Sequence, residues 1–266
     1  MTIDARIGII GGNGWLGNAI ARSAVAGGVV DASRLTLSGR SDRRGTAGIP
    51  GAFWTKDNAE LCGRSDVVVL SVRPDQFPDV RIDARGKLVV SVMAGVTAQA
   101  IAERTGATQV VRSIPNAAAA IRRSFTPWFA TLPVTAEGKR AVQALFDACG
   151  EAAEVPEESY IDYCVGMTGS GAAFPALLAE AMIAHAVKQG LPRDFAAQAA
   201  RGVVAGASQL FAGAEADTAA IVREMIDYRG TTAAALQAML DHGFNEAVAR
   251  GLEVAATKAS KMASSN

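Results

Sequence analysis

Short apolar runs alternate with turn clusters and helix-like stretches through the first 115 residues of the chain. The runs are rich in Val, Ile and Leu and lack polar alternation, which is typical of strands covered on both faces. Strands of this kind separated by helical stretches indicate a parallel sheet with crossover helices. The predicted strands span residues 6–10, 35–38, 67–72, 88–92 and 109–114. The pattern therefore predicts an α/β amino-terminal domain with a doubly wound sheet.

The pattern changes near residue 156, after which Pro is scarce, Ala is abundant and apolar residues recur at helical spacing. Candidate helices span residues 161–189, 193–211, 218–226, 231–240 and 243–262, with breaks at 190–192 and 228–230. We therefore expect an α/β domain over residues 1–156 and an all-α domain over residues 157–266. Small-residue stripes such as 196–207 favour burial against a second copy, and an ordinary monomeric helical core is the alternative.

Composition narrows the function classes. The chain has 266 residues, and 26 Lys and Arg balance 26 Asp and Glu, so no basic surplus points to nucleic acid. Three widely spaced cysteines argue against a disulfide framework, and two histidines without a second ligand at i+4 argue against a metal site. The sequence shows neither a signal-peptide pattern nor an apolar run near the roughly 20 residues that span a bilayer. We expect a cytoplasmic protein that binds neither nucleic acid nor a membrane, and no metal.

A glycine motif directly follows the first predicted strand. Residues 11–17 read Gly-Gly-Asn-Gly-Trp-Leu-Gly and lead into a helix, which is G-x-G-x-x-G in its strand-turn-helix context. We assign the tight turn to Gly12, the approach to a diphosphate to Gly14 and the helix–strand packing to Gly17. The helix amino terminus adds free N–H groups for an anion. This is a dinucleotide site of the Rossmann type, with cofactor residues Gly12, Asn13, Gly14, Trp15, Leu16 and Gly17.

The end of the second strand favours NADP over NAD. An NAD site commonly places Asp or Glu there to bind the ribose 2′-hydroxyl, whereas this chain has Ser38, Arg40 and Ser41. A guanidinium and a hydroxyl suit a 2′-phosphate. We therefore predict NADP (NADPH) as the cofactor, with NAD as the alternative.

Several further segments follow along the chain: Ser71-Val72-Arg73-Pro74, Met93-Ala94-Gly95, Ser113-Ile114-Pro115-Asn116, Thr168-Gly169-Ser170-Gly171, Gly190-Leu191-Pro192 and Gly230-Thr231-Thr232. Taken in this order, they resemble the pyrroline-5-carboxylate reductase family over essentially the whole chain. The resemblance implies an NADPH-dependent reductase of a cyclic imine that carries a carboxylate, catalysing the last step to proline. It also implies a Rossmann domain joined to an all-α dimerisation domain, in a homodimer or a larger homo-oligomer.

The resemblance assigns roles to individual residues. It implies cofactor contacts from Asn58 on the adenosine side and from residues near the nicotinamide, namely Val72, Arg73, Pro74, Ala94, Gly95, Pro115 and Asn116. It implies substrate contacts from Ser170, Gly171, Gly230, Thr231 and Thr232, with Thr232 as the catalytic residue that hydrogen-bonds the bound imino acid. From the residues alone, Thr231 or Thr232 is equally explained as a cap of the predicted helix.

One departure from the family pattern bears on the substrate. The usual Ser-Pro-Gly-Gly before the threonines is replaced by Asp227-Tyr228-Arg229-Gly230, which changes backbone freedom and adds charges and a ring. Three hypotheses follow: reduction of 1-pyrroline-5-carboxylate, reduction of a different imine or carbonyl by a diverged enzyme, and a non-catalytic NADP-binding paralogue.

Overall fold

The computed structural model describes residues 3–40, 48–213 and 217–263. In these residues eight strands form one sheet of spatial order β3-β2-β1-β4-β5-β6-β7-β8. The strands are β1 (Ile7–Ile10), β2 (Leu35–Ser38), β3 (Phe53–Thr55), β4 (Val67–Leu70), β5 (Leu88–Ser91), β6 (Gln109–Ser113), β7 (Ser124–Ala130) and β8 (Gly150–Glu154). All neighbouring pairs are parallel except β6 and β7, which are antiparallel.

Ten α-helices lie in the same described ranges. They are α1 (Trp15–Ala26), α2 (Asn58–Gly63), α3 (Ala98–Thr105), α4 (Ala136–Asp147), α5 (Glu158–Cys164), α6 (Phe174–Lys188), α7 (Arg193–Ala207), α8 (Thr218–Asp227), α9 (Thr231–Asp241) and α10 (Phe244–Ala263). Short 3₁₀ segments lie between some of them, and Val165–Ser170 forms a π-helical segment directly after α5.

The sheet has an apolar layer on each face, as its sequence pattern predicts. Every residue of β1, β2, β4 and β5 is buried. One apolar cluster contains Ile7, Ile9 and Phe146, and a second contains Ile10, Leu61 and Ile101. Because Ile9 and Ile10 are neighbours on one strand, they point to opposite faces and join opposite clusters. The α/β prediction with a doubly wound parallel sheet is confirmed.

The five predicted strands are present, with carboxyl ends one or two residues earlier in three of them. Four elements were not predicted: β3, β7, β8 and α4. The predicted helix over residues 161–189 is also interrupted, because the π-helical segment and the 3₁₀ turn Gly171–Ala173 separate α5 from α6. The predicted breaks at 190–192 and 228–230 separate α6 from α7 and α8 from α9.

The chain divides into two compact units. The first contains Met1–Ser170 together with Glu253–Asn266, and the second contains Gly171–Leu252. The first unit therefore extends past residue 156 to include α5 and the π-helical segment. The boundary of 156/157 stays a prediction from composition.

The second unit is all-helical, as predicted, and buries little of its apolar surface. Ile183 on α6 packs against Ala196 and Ala200 on α7. The helices α8 and α9, both described in full, contain no buried residue. Large side chains such as Leu177 (71% exposed) and Val203 (56% exposed) face outward.

The run Glu158–Lys188 is long and apolar enough to cross a membrane by length and composition alone. This stretch was not singled out in the sequence, where an unbroken apolar run was sought. One such helix is weak evidence for a membrane span, because the core helix of a soluble protein passes the same test. In the structure this run is divided among α5, the π-helical segment, the 3₁₀ turn and α6.

Candidate functional site

The glycine motif forms a tight loop between β1 and α1. The backbone N–H groups of Gly11 and Gly12 both donate to the carbonyl of Ser38, at 3.0 and 2.8 Å. Gly11 has φ +85°, and a Cβ there would lie 2.1 Å from the carbonyl oxygen of Ser71. The assignment of the tight turn to Gly12 is therefore wrong, because the left-handed backbone falls one residue earlier.

The other two glycine assignments concern close approach. A Cβ at Gly17 would lie 2.5 Å from the carbonyl oxygen of Gly11, so only glycine lets α1 pack this closely against the loop. Gly14 is the N-cap of α1 and provides no side-chain cap. The first N–H groups of the helix thus lack a capping side chain and face the region where a diphosphate binds in this motif.

A cleft of about 770 Å³ opens in front of this loop. Of the residues predicted to bind cofactor, it is lined by Asn13, Gly14, Trp15, Leu16, Arg40, Asn58, Val72 and Arg73. The remaining ones that the structure describes lie outside its lining: Gly12, Gly17, Ser38, Pro74, Ala94, Gly95, Pro115 and Asn116. Ser41 lies outside the described residues. Trp15 is 63% exposed at the mouth of the cleft, where a bound ligand would cover its ring.

Ser38 has a supporting position in this cleft. It is fully buried, and its hydroxyl donates to the Asn58 side-chain oxygen at 2.7 Å. Asn58 is the first residue of α2, whose N-cap Asp57 accepts the N–H of Ala59. The side chain of Ser38 therefore holds Asn58 in place, and Asn58 lines the cleft.

Among the cleft residues that were not found from the sequence, three have polar or charged side chains that extend the site: Lys56, Gln76 and Asp79. With the Gln76 carboxamide turned so that its oxygen faces the donors, this oxygen accepts from Arg40 Nη2 at 2.6 Å and from Arg73 Nε at 3.2 Å. Two guanidinium groups therefore converge on one neutral oxygen. The sequence signal for Gln76 is its spacing of three residues from Arg73, which places the two on one side of the 3₁₀ helix Pro74–Asp79.

The charges in the cleft fit NADP. Arg40, Lys56 and Arg73 contribute three cationic side chains to the lining and Asp79 contributes one carboxylate, and no acidic residue stands at the end of β2 as far as Arg40. A 2′-phosphate is favoured by such a set of cations, whereas the free 2′-hydroxyl of NAD is best met by a carboxylate.

The polar atoms of Asn116 are occupied inside the protein. Its amide nitrogen donates to the Thr168 carbonyl at 3.1 Å, and its side-chain oxygen accepts the N–H of Ala118 at 2.9 Å. Its backbone N–H donates to Ser124 Oγ. Asn116, which is buried, thus links the end of β6 to the π-helical segment.

Three of the predicted substrate residues, Gly230, Thr231 and Thr232, stand at the start of α9, whereas Ser170 ends the π-helical segment and Gly171 begins the 3₁₀ turn after it. Gly230 is the N-cap, and no side chain caps the helix. Thr231 and Thr232 follow as exposed residues, and neither hydroxyl makes a hydrogen bond within the described ranges. The alternative that one of these threonines only caps the helix is therefore wrong. Both hydroxyls and the helix amino terminus are available to a carboxylate.

The unusual segment before these threonines keeps a glycine-like backbone. Arg229 has φ +57°, in the left-handed region that favours glycine. The ring of Tyr228, which is 85% exposed, lies 3.2 Å from the position that a Cβ on Gly230 would take. The substitutions of this chain are therefore accommodated at the expense of backbone strain.

None of the three cysteines has the character of a nucleophile. Burial raises the pKa of the Cys149 thiol to about 11, and burial also raises the pKa of Cys62 and of Cys164. A thiol with a raised pKa remains protonated near neutral pH and is unreactive. The site thus offers a nucleotide cleft and hydroxyl donors, which suits hydride transfer better than covalent catalysis.

Comparison with known proteins finds related families and relatives along nearly the whole chain. A family described as pyrroline-5-carboxylate reductase dimerisation matches residues 158–262, and one described as NADP oxidoreductase, coenzyme F420-dependent, matches residues 6–95. A pyrroline-5-carboxylate reductase of Glycine max is 31% identical over 262 residues, covering 96% of this chain and 94% of the relative. That of Vibrio alginolyticus is 30% identical over 215 residues, covering 78% of this chain and 79% of the relative.

Solved structures show the same fold. The pyrroline-5-carboxylate reductase of Coxiella burnetii has a TM-score of 0.87 at 26% identity, covering 97% of this chain and 98% of that one. The Plasmodium falciparum pyrroline carboxylate reductase, solved with NADP bound, has a TM-score of 0.84 at 21% identity, covering 99% of this chain and all of that one. The fold, the glycine-loop cleft and the likeness to relatives over nearly their full length agree, and the chain belongs to the pyrroline-5-carboxylate reductase family.

Proposed function

We propose that this protein reduces 1-pyrroline-5-carboxylate to L-proline with NADPH. The observation that carries the proposal is its likeness to named reductases over almost the whole chain, at up to 31% identity among the relatives given above. The cleft supports it, because a glycine loop and three cations suit NADP. As a member of this family, the protein is an NAD(P)H-dependent oxidoreductase that acts on a C=N bond.

The roles of the residues follow from what the reaction needs. NADPH, when bound, supplies the hydride that reduces the imine carbon. The amino terminus of α1 holds the diphosphate, and Arg40 holds the 2′-phosphate with its guanidinium. Thr231, Thr232 and the first N–H groups of α9 bind the substrate carboxylate and orient the ring. A protonated ring imine is already a strong hydride acceptor, so this scheme asks the protein to position it and requires no separate general acid.

The assembly we propose is a homodimer formed through the helical unit, or a larger ring built from such dimers. The family that matches residues 158–262 is described by its dimerisation, and large apolar side chains of α6 and α7 are exposed in the single chain. A second copy would cover them. We place the protein in the cytoplasm.

The direct test measures NADPH oxidation by its absorbance with 1-pyrroline-5-carboxylate as substrate. Turnover with formation of proline supports the proposal. NADPH binding without turnover of this imine contradicts it.

A second candidate is a related imine with a different ring, favoured by the strained Asp227-Tyr228-Arg229 segment that replaces the family pattern. A panel of ring imines, with and without a carboxylate, separates the two. Faster turnover of a different imine favours this candidate. Absence of turnover across the panel, despite NADPH binding, favours a non-catalytic paralogue.

A further inference from the structure

Arg112 is a buried charged residue in the middle of the first unit. It lies on β6, and its side chain is only 1% exposed. Its Nη1 donates to Glu158 at 2.7 Å and its Nη2 donates to Asp162 at 2.7 Å. Both carboxylates are carried by α5, one helical turn apart, so the planar guanidinium attaches a single face of α5 to the sheet.

Glu158 extends this link to a third element. The same carboxylate oxygen that binds Arg112 accepts the backbone N–H of Ala98 at 2.8 Å. Ala98 is the first residue of α3. The loop that contains Ala94 and Gly95 leads directly into this helix. Three parts of the chain therefore meet at two carboxylates: the end of β6, the start of α3 and the start of α5.

The π-helical segment Val165–Ser170 continues directly from α5 and is attached to the same strand end. Asn116 donates to the Thr168 carbonyl, and a Cβ on Gly169 would lie 3.1 Å from Ile114 Cγ2. A π-helical turn is rare in proteins and is often found at functional sites. Here it ends at Ser170 and is followed directly by Gly171, the two residues where the resemblance places substrate contacts.

A contribution to folding stability does not by itself explain the buried cluster of Arg112, Glu158 and Asp162. A buried ion cluster loses much of its Coulombic gain to desolvation, and apolar residues of similar volume are often as stable. In this structure Arg112 Nε, also buried, has no hydrogen-bond partner in the part of the chain that is described, which adds to the cost. What the cluster provides is geometry, since a guanidinium that binds two carboxylates fixes both distance and direction.

Given the proposed function, we infer that Arg112 is a positioning residue of the reductase. Through Glu158 and Asp162 it fixes the π-helical segment, and with it Ser170, relative to the strand ends that carry Ala94, Gly95, Pro115 and Asn116. These are the residues expected beside the nicotinamide, so the cluster sets the register between the hydride donor and the substrate loop. Arg112 touches neither ligand in this scheme.

The first variant is Arg112→Lys, which keeps the positive charge but cannot bind Glu158 and Asp162 through two fixed nitrogens. We expect kcat/KM for the imine to fall by about 10²-fold, because small displacements of positioned groups have effects of this size. The dissociation constant of NADPH should change less than about threefold, since the glycine loop and Arg40 are untouched. Arg140→Lys, an exposed arginine on α4, is the matched control and should behave as the wild type.

A second variant separates positioning from stability. The triple change Arg112→Met, Glu158→Gln and Asp162→Leu removes the charges together and leaves an acceptor for the Ala98 N–H. We expect its melting temperature to return close to that of the wild type, as buried ion groups can be replaced by apolar ones. Its kcat/KM for the imine should remain low. If activity recovers together with stability, Arg112 has only a structural role and the inference is wrong.

Hydrogen–deuterium exchange gives a readout that does not depend on the substrate. In both variants the amides of residues 165–170 should exchange faster, while those of β1 and α1 should exchange at the wild-type rate. Unchanged exchange in 165–170 overturns the inference even if activity falls. A wild-type protein that does not reduce 1-pyrroline-5-carboxylate contradicts the proposed function instead, and the exchange experiment still tests the positioning.

Discussion

Thr232 is the residue on which the substrate end of the proposed reaction depends. It is the second residue of α9, and its exposed hydroxyl has no partner in the described chain. Thr232→Ala should raise the barrier for imine reduction by about 1–3 kcal/mol, because a hydrogen bond to the charged carboxylate is lost. NADPH affinity, measured by fluorescence titration, should stay the same. Thr218→Ala changes the first residue of α8 and is the control; equal effects of the two substitutions on kcat/KM would contradict the assignment.

Gln76 contributes to cofactor choice if Arg40, one of the two arginines that it joins, binds the 2′-phosphate. Gln76→Glu keeps an acceptor for Arg40 and Arg73 but adds a negative charge beside them. We expect the dissociation constant of NADPH to rise about tenfold, from repulsion of the 2′-phosphate, with a smaller change for NADH. Gln76→Leu removes the acceptor without adding a charge, and its dissociation constant for NADPH should lie between those of the wild type and Gln76→Glu. Equal loss of both cofactors would place Gln76 away from the 2′-phosphate.

Single residues also mark where sequence reasoning reached its limit. The glycine spacing predicted the loop, but it did not indicate that Gly11 rather than Gly12 takes the left-handed backbone. The space at Gly11 is limited by the Ser71 carbonyl, which directly follows β4 and is distant in sequence. For the same reason the contact between Gln76 and Arg40 was not predictable, because the two are brought together only by the sheet.

At the scale of elements, β1 and β4 are joined at one end by an ion pair. Arg6 Nη2 lies 2.6 Å from Asp66, and the Arg6 backbone N–H also donates to this carboxylate. The side-chain hydrogen bonds from Arg6 lower the pKa of Asp66 from 3.8 to about 2. Since the folded-state pKa lies below the unfolded one, the stabilisation is complete above about pH 4 and is lost as the pH falls towards 2.

The contribution of the Arg6–Asp66 ion pair to stability is tested by Asp66→Asn. Solvent reaches both side chains, so the loss in unfolding free energy should be about 1 kcal/mol or less near neutral pH. The difference from the wild type should shrink as the pH falls from about 4 to 2, as measured by urea unfolding. Asp4→Asn, which removes the 96% exposed partner of Arg34, is the control and should have little effect. A difference that is constant with pH would contradict this account.

The elements that were predicted and those that were missed differ in where their stabilising contacts come from. The strands β1, β4 and β5 are buried on both faces, and their apolar runs are visible in the sequence. The strand β8 reads Gly-Glu-Ala-Ala-Glu, which has helical propensity, and it is a strand only because β7 pairs with it. The interruption after Cys164 was missed because apolar spacing alone does not separate a π-helical turn from an α-helical one.

At the scale of the whole molecule, the apolar side chains exposed on the helical unit make the proposed assembly testable. Leu177→Asp places a charge in an apolar side chain that is 71% exposed on α6. If a second copy covers this surface, the variant should be a monomer in sedimentation experiments and should unfold at a lower temperature. Leu132→Asp, at a fully exposed leucine in the first unit, is the control and should leave the assembly unchanged. A dimeric Leu177→Asp protein would move the interface elsewhere.

At this scale the sequence predicted the two classes of fold and the family, because ordered motifs along the whole chain carry that information. It did not predict where the first compact unit ends. The reason is that α5 is attached to β6 by ion pairs. In the sequence Glu158 and Asp162 have the pattern of surface residues of a helix, and only the fold shows that both bind Arg112.

The hydrogen bond between Ser38 and Asn58 has a consequence for how the nucleotide enters. Because this hydrogen bond fixes the Asn58 side chain within the fold, association with a nucleotide does not have to immobilise it. Each side chain spared in this way saves about 0.5–1.5 kcal/mol of ordering entropy on complex formation. The proposed adenosine side of the cleft is therefore preorganised, and Ser38→Ala should weaken binding of the dinucleotide because it releases the Asn58 side chain.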